Sequence, residues 1–211
     1  MGMARYRERM AATGTPVEVR VVPAGDVDWA DLRAVFGRRG DPSHCFCQRF
    51  RMQPGESWAS VGRDELAARL REQVDDGATG PPAPGLVAFL DGEPAGWCAV
   101  DRRSTYPRLL RNVRVPWEGR DEDKTDDSVW AVTCFVTRTG YRRRGISHAL
   151  CRAAVQHARG AGARALEGYP MTTTAALIGE LHPGVHSVFV AAGFTEISRP
   201  TQRRAVMRIE F

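Results

Sequence analysis

Phe135-Val136-Thr137-Arg138-Thr139-Gly140-Tyr141-Arg142-Arg143-Arg144-Gly145-Ile146-Ser147-His148-Ala149-Leu150 is the stretch on which the fold turns. Its first residues continue an apolar run, Val129-Trp130-Ala131-Val132-Thr133-Cys134-Phe135-Val136, that has the length and β-branched content of a central strand. Its last residues open a helix predicted from about Ile146 to Arg159. That helix carries Ile146, Ala149, Leu150 and Ala153 on one face and ends at the glycines at 160 and 162. Where a strand runs into a helix, the first turn leaves backbone N–H groups unpaired and the helix dipole adds partial positive charge, so an anion can be held there. Gly145 allows the backbone to approach a phosphate closely, and Ser147 is small enough not to block it. An ordinary tight turn uses the same residues, so the surroundings have to decide.

Working outward, Val17-Glu18-Val19-Arg20-Val21 alternates as a half-buried strand does. Asp28 precedes Trp29, Leu32, Val35 and Phe36 at helical spacing, and Gly37 and Gly40 stop that run. The segment from His44 to Trp58 has no clean period and is expected as an ordered loop or broken helix. Val61, Leu66, Leu70 and Val74 mark a surface helix over 60–74. After the breaker cluster Gly80-Pro81-Pro82-Ala83-Pro84-Gly85, two apolar runs, Leu86–Leu90 and Ala95–Val100, flank Asp91-Gly92-Glu93-Pro94 and form a hairpin. Residues 102–127, with Arg102 and Arg103 at the start and Asp121-Glu122-Asp123 and Asp126-Asp127 at the end, are expected as an exposed loop or a flap over a site. Downstream, Ala163–Glu167 reads as a strand, 185–192 as a helix closed by Gly193, and the regions around Phe194–Ile197 and Ala205–Phe211 as the last two strands.

The whole chain has 211 residues, 43% of them hydrophobic, which suits one domain over 16–211 behind a mobile tail at 1–15. No apolar run approaches the ~20 residues of a membrane-spanning helix, and the first residues lack the apolar centre of a secretory signal. A soluble cytoplasmic protein is expected. The net charge is +5, and Lys124 is the single lysine among 30 basic residues. The arginines are spread along the chain without a nucleic-acid reading motif, and the cluster at Arg142, Arg143 and Arg144 is explained as well by a phosphate-bearing cofactor as by DNA. Five cysteines without a secretion signal imply reduced thiols. Cys45 and Cys47 look like half a metal site, but no second pair completes it, so buried thiols or pocket lining are expected and no metal.

The strand, the turn with Arg142, Gly145 and Ser147, and the helix after it resemble the acetyl-coenzyme A motif of the GNAT acetyltransferases, with serine where glycine or alanine is usual. Gly96-Trp97 in the hairpin and Ala192-Gly193-Phe194 near the end also stand where that superfamily has similar residues, and the likeness covers roughly 86–211. The resemblance implies an α/β (α+β) domain with a mixed, splayed central sheet flanked by helices, its cofactor core at about 86–211. The backbone of Cys134, Phe135, Val136 and Thr137 would pair with the pantetheine arm, and the amides of Arg143, Arg144, Gly145, Ile146 and Ser147, beside Arg142, with the pyrophosphate. The implied reaction is direct attack of a neutral amine on the thioester.

The chain departs from the commonest pattern of that superfamily in its proton-transfer groups. Thr133 and Cys134 stand where many relatives carry a carboxylate, and Phe189 stands where many carry a tyrosine. The candidates left for proton transfer are His186, with His182 and Ser187 nearby, and Glu167 and Tyr169 at the end of the other strand. Cys45, Cys47, Tyr106 and Trp97 are candidates for lining an acceptor pocket. The expected partners are acetyl-coenzyme A and a small-molecule amine, with a homodimer as one option, and neither membrane nor nucleic acid. Two alternatives stay open: a protein amine as acceptor, and a catalytically inactive acyl-coenzyme A-binding module.

Overall fold

The computed structural model describes residues 19–76 and 82–211. The expected tail at 1–15, the start of the first expected strand and the first two residues of the breaker cluster lie outside them. In chain order the elements are β1 (Val19–Pro23), α1 (Trp29–Phe36), α2 (Pro42–Cys45), α3 (Trp58–Val61), α4 (Arg63–Asp76), β2 (Leu86–Leu90), β3 (Glu93–Arg102), α5 (Pro107–Arg111), β4 (Val129–Thr137), α6 (Ile146–Gly160), β5 (Ala165–Gly168), α7 (His186–Val190), β6 (Thr195–Thr201) and β7 (Arg204–Glu210). They build one seven-stranded sheet in the order β1-β2-β3-β4-β5-β7-β6. Only the β4–β5 pair is parallel, with α6 as the crossover between them.

Alternation along β2 sends Leu86, Ala88 and Leu90 to one face, under α6 and α7, and Val87 and Phe89 to the other, under α1 and α4. The helix predicted from the arginine turn is α6, and its apolar stripe packs across β1 to β4. Gly96 makes that contact possible, because a Cβ there would sit 2.4 Å from Ile146 Cγ2. Trp97, expected in an acceptor pocket, is instead core. Its ring fills the space over Gly85, where a Cβ would lie 2.1 Å from it, and packs 5.9 Å from Phe36. The surface helix expected over 60–74 divides into α3 and α4 at Gly62, whose φ of +82° ends the first piece.

The pairing of β4 explains the cleft described below. Ala99 lies opposite Cys134 and Val100 opposite Val132, so Thr133 is an extra residue, a bulge, in β4. A bulge bends its strand and shifts the phase of the side chains, and here Val132 and Phe135 face the α6 side while Cys134 and Val136 face the α1 side. The β4–β5 ladder ends at the same point, with Val132 opposite Gly168.

Residues 102–127 are only partly the exposed loop expected: most of the acidic stretch at 121–127 is exposed, while the first half packs on the sheet and borders a small cavity through Arg108, Leu109, Asn112 and Val115. Arg103 and Tyr106 are fully buried, and Tyr106 and Leu109 pack with Ala131, Tyr169 and Val206 over the paired end of the sheet. Trp117 is buried with its indole N–H donated to the Leu109 carbonyl at 2.9 Å, and Arg103 and Lys124 each lie 4.9 Å from its ring. The acidic half of the segment supplies Glu122 to a buried ion cluster centred on Glu167 of β5. Glu167 accepts hydrogen bonds from Arg208 at 2.6 Å, from Arg103 at 3.4 Å, from Arg120 and from the Tyr169 hydroxyl at 2.9 Å. Burial by itself raises the pKa of Glu167, but the hydrogen bond and charge of Arg120, with Arg103, hold it below the ordinary carboxylate value.

A carboxylate with a depressed folded pKa contributes stability that is present above its unfolded value, about 4.3, and lost as pH falls through the folded value. Glu167→Gln leaves three guanidiniums short of their shared acceptor, and we expect it to cost about 3–5 kcal/mol in urea unfolding at pH 7. As pH falls through the depressed folded value of Glu167 the variant and the parent chain should converge, since both then carry a neutral group at this position. A variant as stable as the parent at pH 7 contradicts this role.

Candidate active site

Beyond the bulge, β4 and β5 part, and a cleft of about 1740 Å³ opens along β4 between α1 and α2 on one side and the segment before α7 on the other. Cys134, Phe135, Val136 and Thr137 form its floor, with Arg142 and Ser147 at one end and Phe50, Arg49 and His182 at the other. Trp29, Arg33, Phe36, Arg38 and Asp41 from α1 and the loop after it complete the wall.

At the Ser147 end, Arg143 takes a left-handed φ of +60° and Gly145, the residue capping α6, one of +77°. A non-glycine residue in that region costs roughly 1–2 kcal/mol, so the turn at Arg143 is held there by its surroundings. The first turn of α6 thus presents its free N–H groups beside three exposed arginine positions, Arg142, Arg143 and Arg144. A Cβ on Gly145 would meet no atom within 4 Å, so open space adjoins the backbone where an anion would approach. Of the residues expected to hold the pyrophosphate, Arg142 and Ser147 line the cleft, and Ile146 is buried against β3 with only its backbone at the turn.

Phe135 departs from expectation in one respect. Its N–H, which the loss of β5 frees, donates to the His182 carbonyl at 2.6 Å, so this amide is already paired. The segment carrying His182 turns back across the gap, and Gly179 within it abuts Asp41 closely enough that a Cβ would lie 2.4 Å from the carboxylate. The gap is therefore bridged at the level of Phe135 and open toward Thr137.

The thiols and proton-transfer candidates fall on both sides of the divide. Cys45 and Cys47 do line the cleft, and the Cys47 Sγ lies 3.0 Å from the Cys134 Sγ. Burial pushes the Cys45 thiol up to about 11 and the Cys47 thiol well above its usual value, so both are protonated at neutral pH. Among the described residues no group of three or more His, Cys, Asp or Glu side chains is placed to hold a metal ion. Tyr106 is buried beneath Arg51, whose guanidinium lies 4.7 Å from its ring, and does not reach the cleft. Glu167 is locked in the ion cluster, and Tyr169 spends its hydroxyl on Glu167, with burial and then the charge of Glu167 raising its pKa well above the usual value. His186 faces outward to Glu196 of β6 at 3.1 Å. Phe189 sits fully buried between Phe135 and Phe194, at ring distances of 5.9 and 5.1 Å, and offers no donor.

The imidazole in the cleft is His182. Its Nδ1 lies 2.9 Å from the Gly179 carbonyl, which can only accept, so the neutral ring carries its proton on Nδ1 and a lone pair on Nε2. Nε2 is buried without a partner among the described residues. Burial, and then the positive charges of Arg49 and Arg204, bring the pKa of His182 down to about 4. Its place was not legible in the sequence, where it was only one of three residues near the start of α7. Arg49 lies in the loop from Cys45 to Arg51 expected to line an acceptor pocket, whereas nothing in the sequence marks Arg33 and Arg38, since the region before residue 86 carries no diagnostic motif.

With this geometry in view, the comparisons with known proteins decide the family. A family model described as Acetyltransferase (GNAT) family matches residues 44–176. The chain belongs to this family. Solved structures similar to this GNAT chain include yncA from Salmonella typhimurium with its cofactor acetyl-CoA, at 14% identity and a TM-score of 0.52, covering 91% of this chain and 93% of that one. An N-acetyltransferase from Staphylococcus aureus Mu50 is similar at 13% identity and a TM-score of 0.51, covering 92% and 98%. At these identities the likeness bears on the fold. No curated protein matches the sequence. The mixed open sheet with flanking helices is the fold of this acetyltransferase family, and among the described residues no helix is long and apolar enough to cross a membrane.

His182 provides a direct check of the site's electrostatics. Because its folded pKa is depressed, its ring should stay neutral in an NMR titration until the pH falls to about 4, whereas an exposed histidine charges near ~6.5. As a consequence the fold loses stability as pH drops from ~6.5 toward that value, where only the unfolded chain takes up the proton. A His182 resonance that titrates near 6.5 contradicts the buried placement.

Proposed function

We propose that this chain transfers the acetyl group of acetyl-coenzyme A to a primary amine of a small molecule. The observation that carries the reading is the parting of β4 from β5 at Thr133, which sets a positive-φ anion turn at one end of a single cleft and a neutral imidazole at the other. The amides of Arg143, Arg144, Gly145, Ile146 and Ser147, with the Arg142 side chain, suit a pyrophosphate. Cys134, Val136 and Thr137 suit the wall and backbone partners of a pantetheine arm, while the Phe135 N–H is engaged by His182. The bound co-substrate supplies an activated acetyl thioester; the remaining chemistry belongs to the protein.

The protein's first task is to present the acceptor as a neutral amine. Arg49 and Arg204 lie close enough to His182 to depress its pKa, and the same two charges disfavour the ammonium form of an amine bound beside it. His182 Nε2 then accepts a hydrogen bond from the amine, turning its lone pair toward the floor of the cleft, and the proton leaves through Nε2 or adjoining water. Thiolate departure needs no phenol at Phe189, since a thiol is acidic enough to leave without full protonation. The small cavity of about 180 Å³ beside His182 favours a compact acceptor over a protein segment. A second reading, a binding module without turnover, draws on the burial of Phe189 and on the commitment of Glu167 and Tyr169 to the ion cluster.

Two substitutions test this reading. Gly145→Val forces a β-branched residue onto a φ of +77° and fills the space beside the amides, so acetyl-coenzyme A affinity by calorimetry should fall by at least about 10-fold while the fold is retained. Unchanged affinity in a folded variant removes the cofactor assignment. His182→Ala should lower kcat about 100-fold with coenzyme A affinity kept, as for loss of a positioned proton acceptor. Tight coenzyme A binding with no thiol release from a broad panel of amines favours the binding module.

A further inference from the structure

A second cavity, of about 180 Å³, adjoins the Phe135 end of the cleft and shares Arg49, Phe50 and His182 with it. Its other walls include Arg108 of α5, Asn112, Tyr169 and Arg204 at the start of β7. Three arginines therefore line a space of roughly six water volumes.

None of the three has a carboxylate within salt-bridge distance among the described residues. Arg49 rests on the Trp58 ring at 4.7 Å, and Arg108 and Arg204 reach only the thioether sulfurs of Met52 and Met171, at 3.8 and 3.6 Å. A thioether is a weak acceptor and neutralises nothing. The Arg204 Nε and the His182 Nε2 are both buried with no hydrogen-bond partner among the described residues. Glu180 pairs with Arg203 at 3.2 Å and acts on Arg204 only through its charge, and Asp41 likewise acts on His182 without a salt bridge to any of the three arginines. Elsewhere in the same molecule buried arginines are matched: Arg103, Arg120 and Arg208 share Glu167 and Glu122.

Arg49 and Arg204 are half-buried and Arg108 is exposed. A guanidinium keeps its charge as it is drawn out of water, and the buried, unpartnered Arg204 Nε still lacks an acceptor, so an anion suits this pocket. We propose that the cavity formed by Arg49, Arg108, Asn112 and Arg204 binds an oxyanion carried by the acceptor itself, a carboxylate or a phosphate monoester, so that the substrate is a small amine that also bears an acid. This rests on the acetyl-transfer reading above. Arg49 and His182 belong to both cavities, so one molecule can place its acid on the arginines and its amine beside His182 Nε2. The planar forks of arginine suit bidentate capture of either oxyanion.

The test compares acceptors in matched pairs on the full chain with acetyl-coenzyme A: amino acids against their amides, and ethanolamine phosphate against ethanolamine. The acid of a pair should exceed its neutral partner in kcat/KM, and the pair with the larger ratio identifies carboxylate or phosphate. Arg204→Met, which keeps the length and apolar body of the side chain, should reduce that ratio about 10- to 100-fold, as expected for loss of a charged hydrogen-bond partner. Arg108→Gln, at an exposed position, gives the same reading if Arg204→Met does not fold. Equal use of acids and neutral partners, with a ratio that neither variant moves, overturns the anion pocket while leaving acetyl transfer in place. If no amine is acetylated, acetyl transfer itself is overturned. The pocket is then judged separately, by calorimetry with glutamate, succinate and phosphate: binding that Arg204→Met abolishes supports it, and no binding of any of the three overturns it.

Discussion

One extra residue in a central strand governs this molecule. Thr133 bulges out of β4 where the parallel pairing with β5 stops, and everything C-terminal to it in β4 has lost one neighbour in the sheet. A strand that loses its partner exposes backbone N–H and C=O groups, and these must be satisfied by another segment, by water or by a ligand. Here one amide is taken by the His182 carbonyl, and the rest of the strand becomes the floor of a cleft. The bulge also puts Val132 and Cys134, which would otherwise share a face, on opposite faces, and so turns a thiol toward the α1 side and the Phe135 ring against Phe189.

A sheet opened at one end has to be held at the other, and the Glu167 cluster lies there. Glu167 joins β5, β7 and the segment after β3 through Arg208, Arg103 and Arg120, with Trp117 laid under the guanidiniums. The arginines of this chain thus divide by position. At the paired end of the sheet they are matched by carboxylates and hold structure. At the cleft end Arg49, Arg108 and Arg204 are left unmatched, and Arg143 is held in a left-handed turn. Charge that lowers stability when unpaired is concentrated where an anionic ligand would offset it.

The legible part of the fold followed local rules. The apolar run of β4, the stripe of α6 and the hairpin of β2 and β3 each announce themselves by periodicity within a dozen or so residues, and the turn between β4 and α6 announces itself by its glycine and arginines. Gly96 and Trp97 stand together for packing: the glycine admits Ile146, and the tryptophan fills the core over Gly85. Charge along residues 102–127 suggests solvent, which holds for most of 121–127 but not for Arg103, which is buried between Glu122 and Glu167. Charge pattern alone does not distinguish a solvated loop from half of a buried ion cluster.

The sequence by itself therefore determined the order of the strands, the family motif and the place of the arginine turn, because each depends on residues close along the chain. Only the tertiary structure decided which candidates stand in the cleft. His186 and His182 are four residues apart, yet one faces Glu196 at the surface and the other closes the gap beside Phe135. Arg49, Arg108 and Arg204 come from three distant segments, and nothing local marks them as neighbours. Their convergence follows from the pairing of β7 with β5, which carries the start of β7 past Gly168 to lie beside Met171, and from the way α5 and the segment after α2 border the same cavity. Side-chain chemistry is written residue by residue, but which side chains share a cavity is settled by how the strands pair and where one pairing stops.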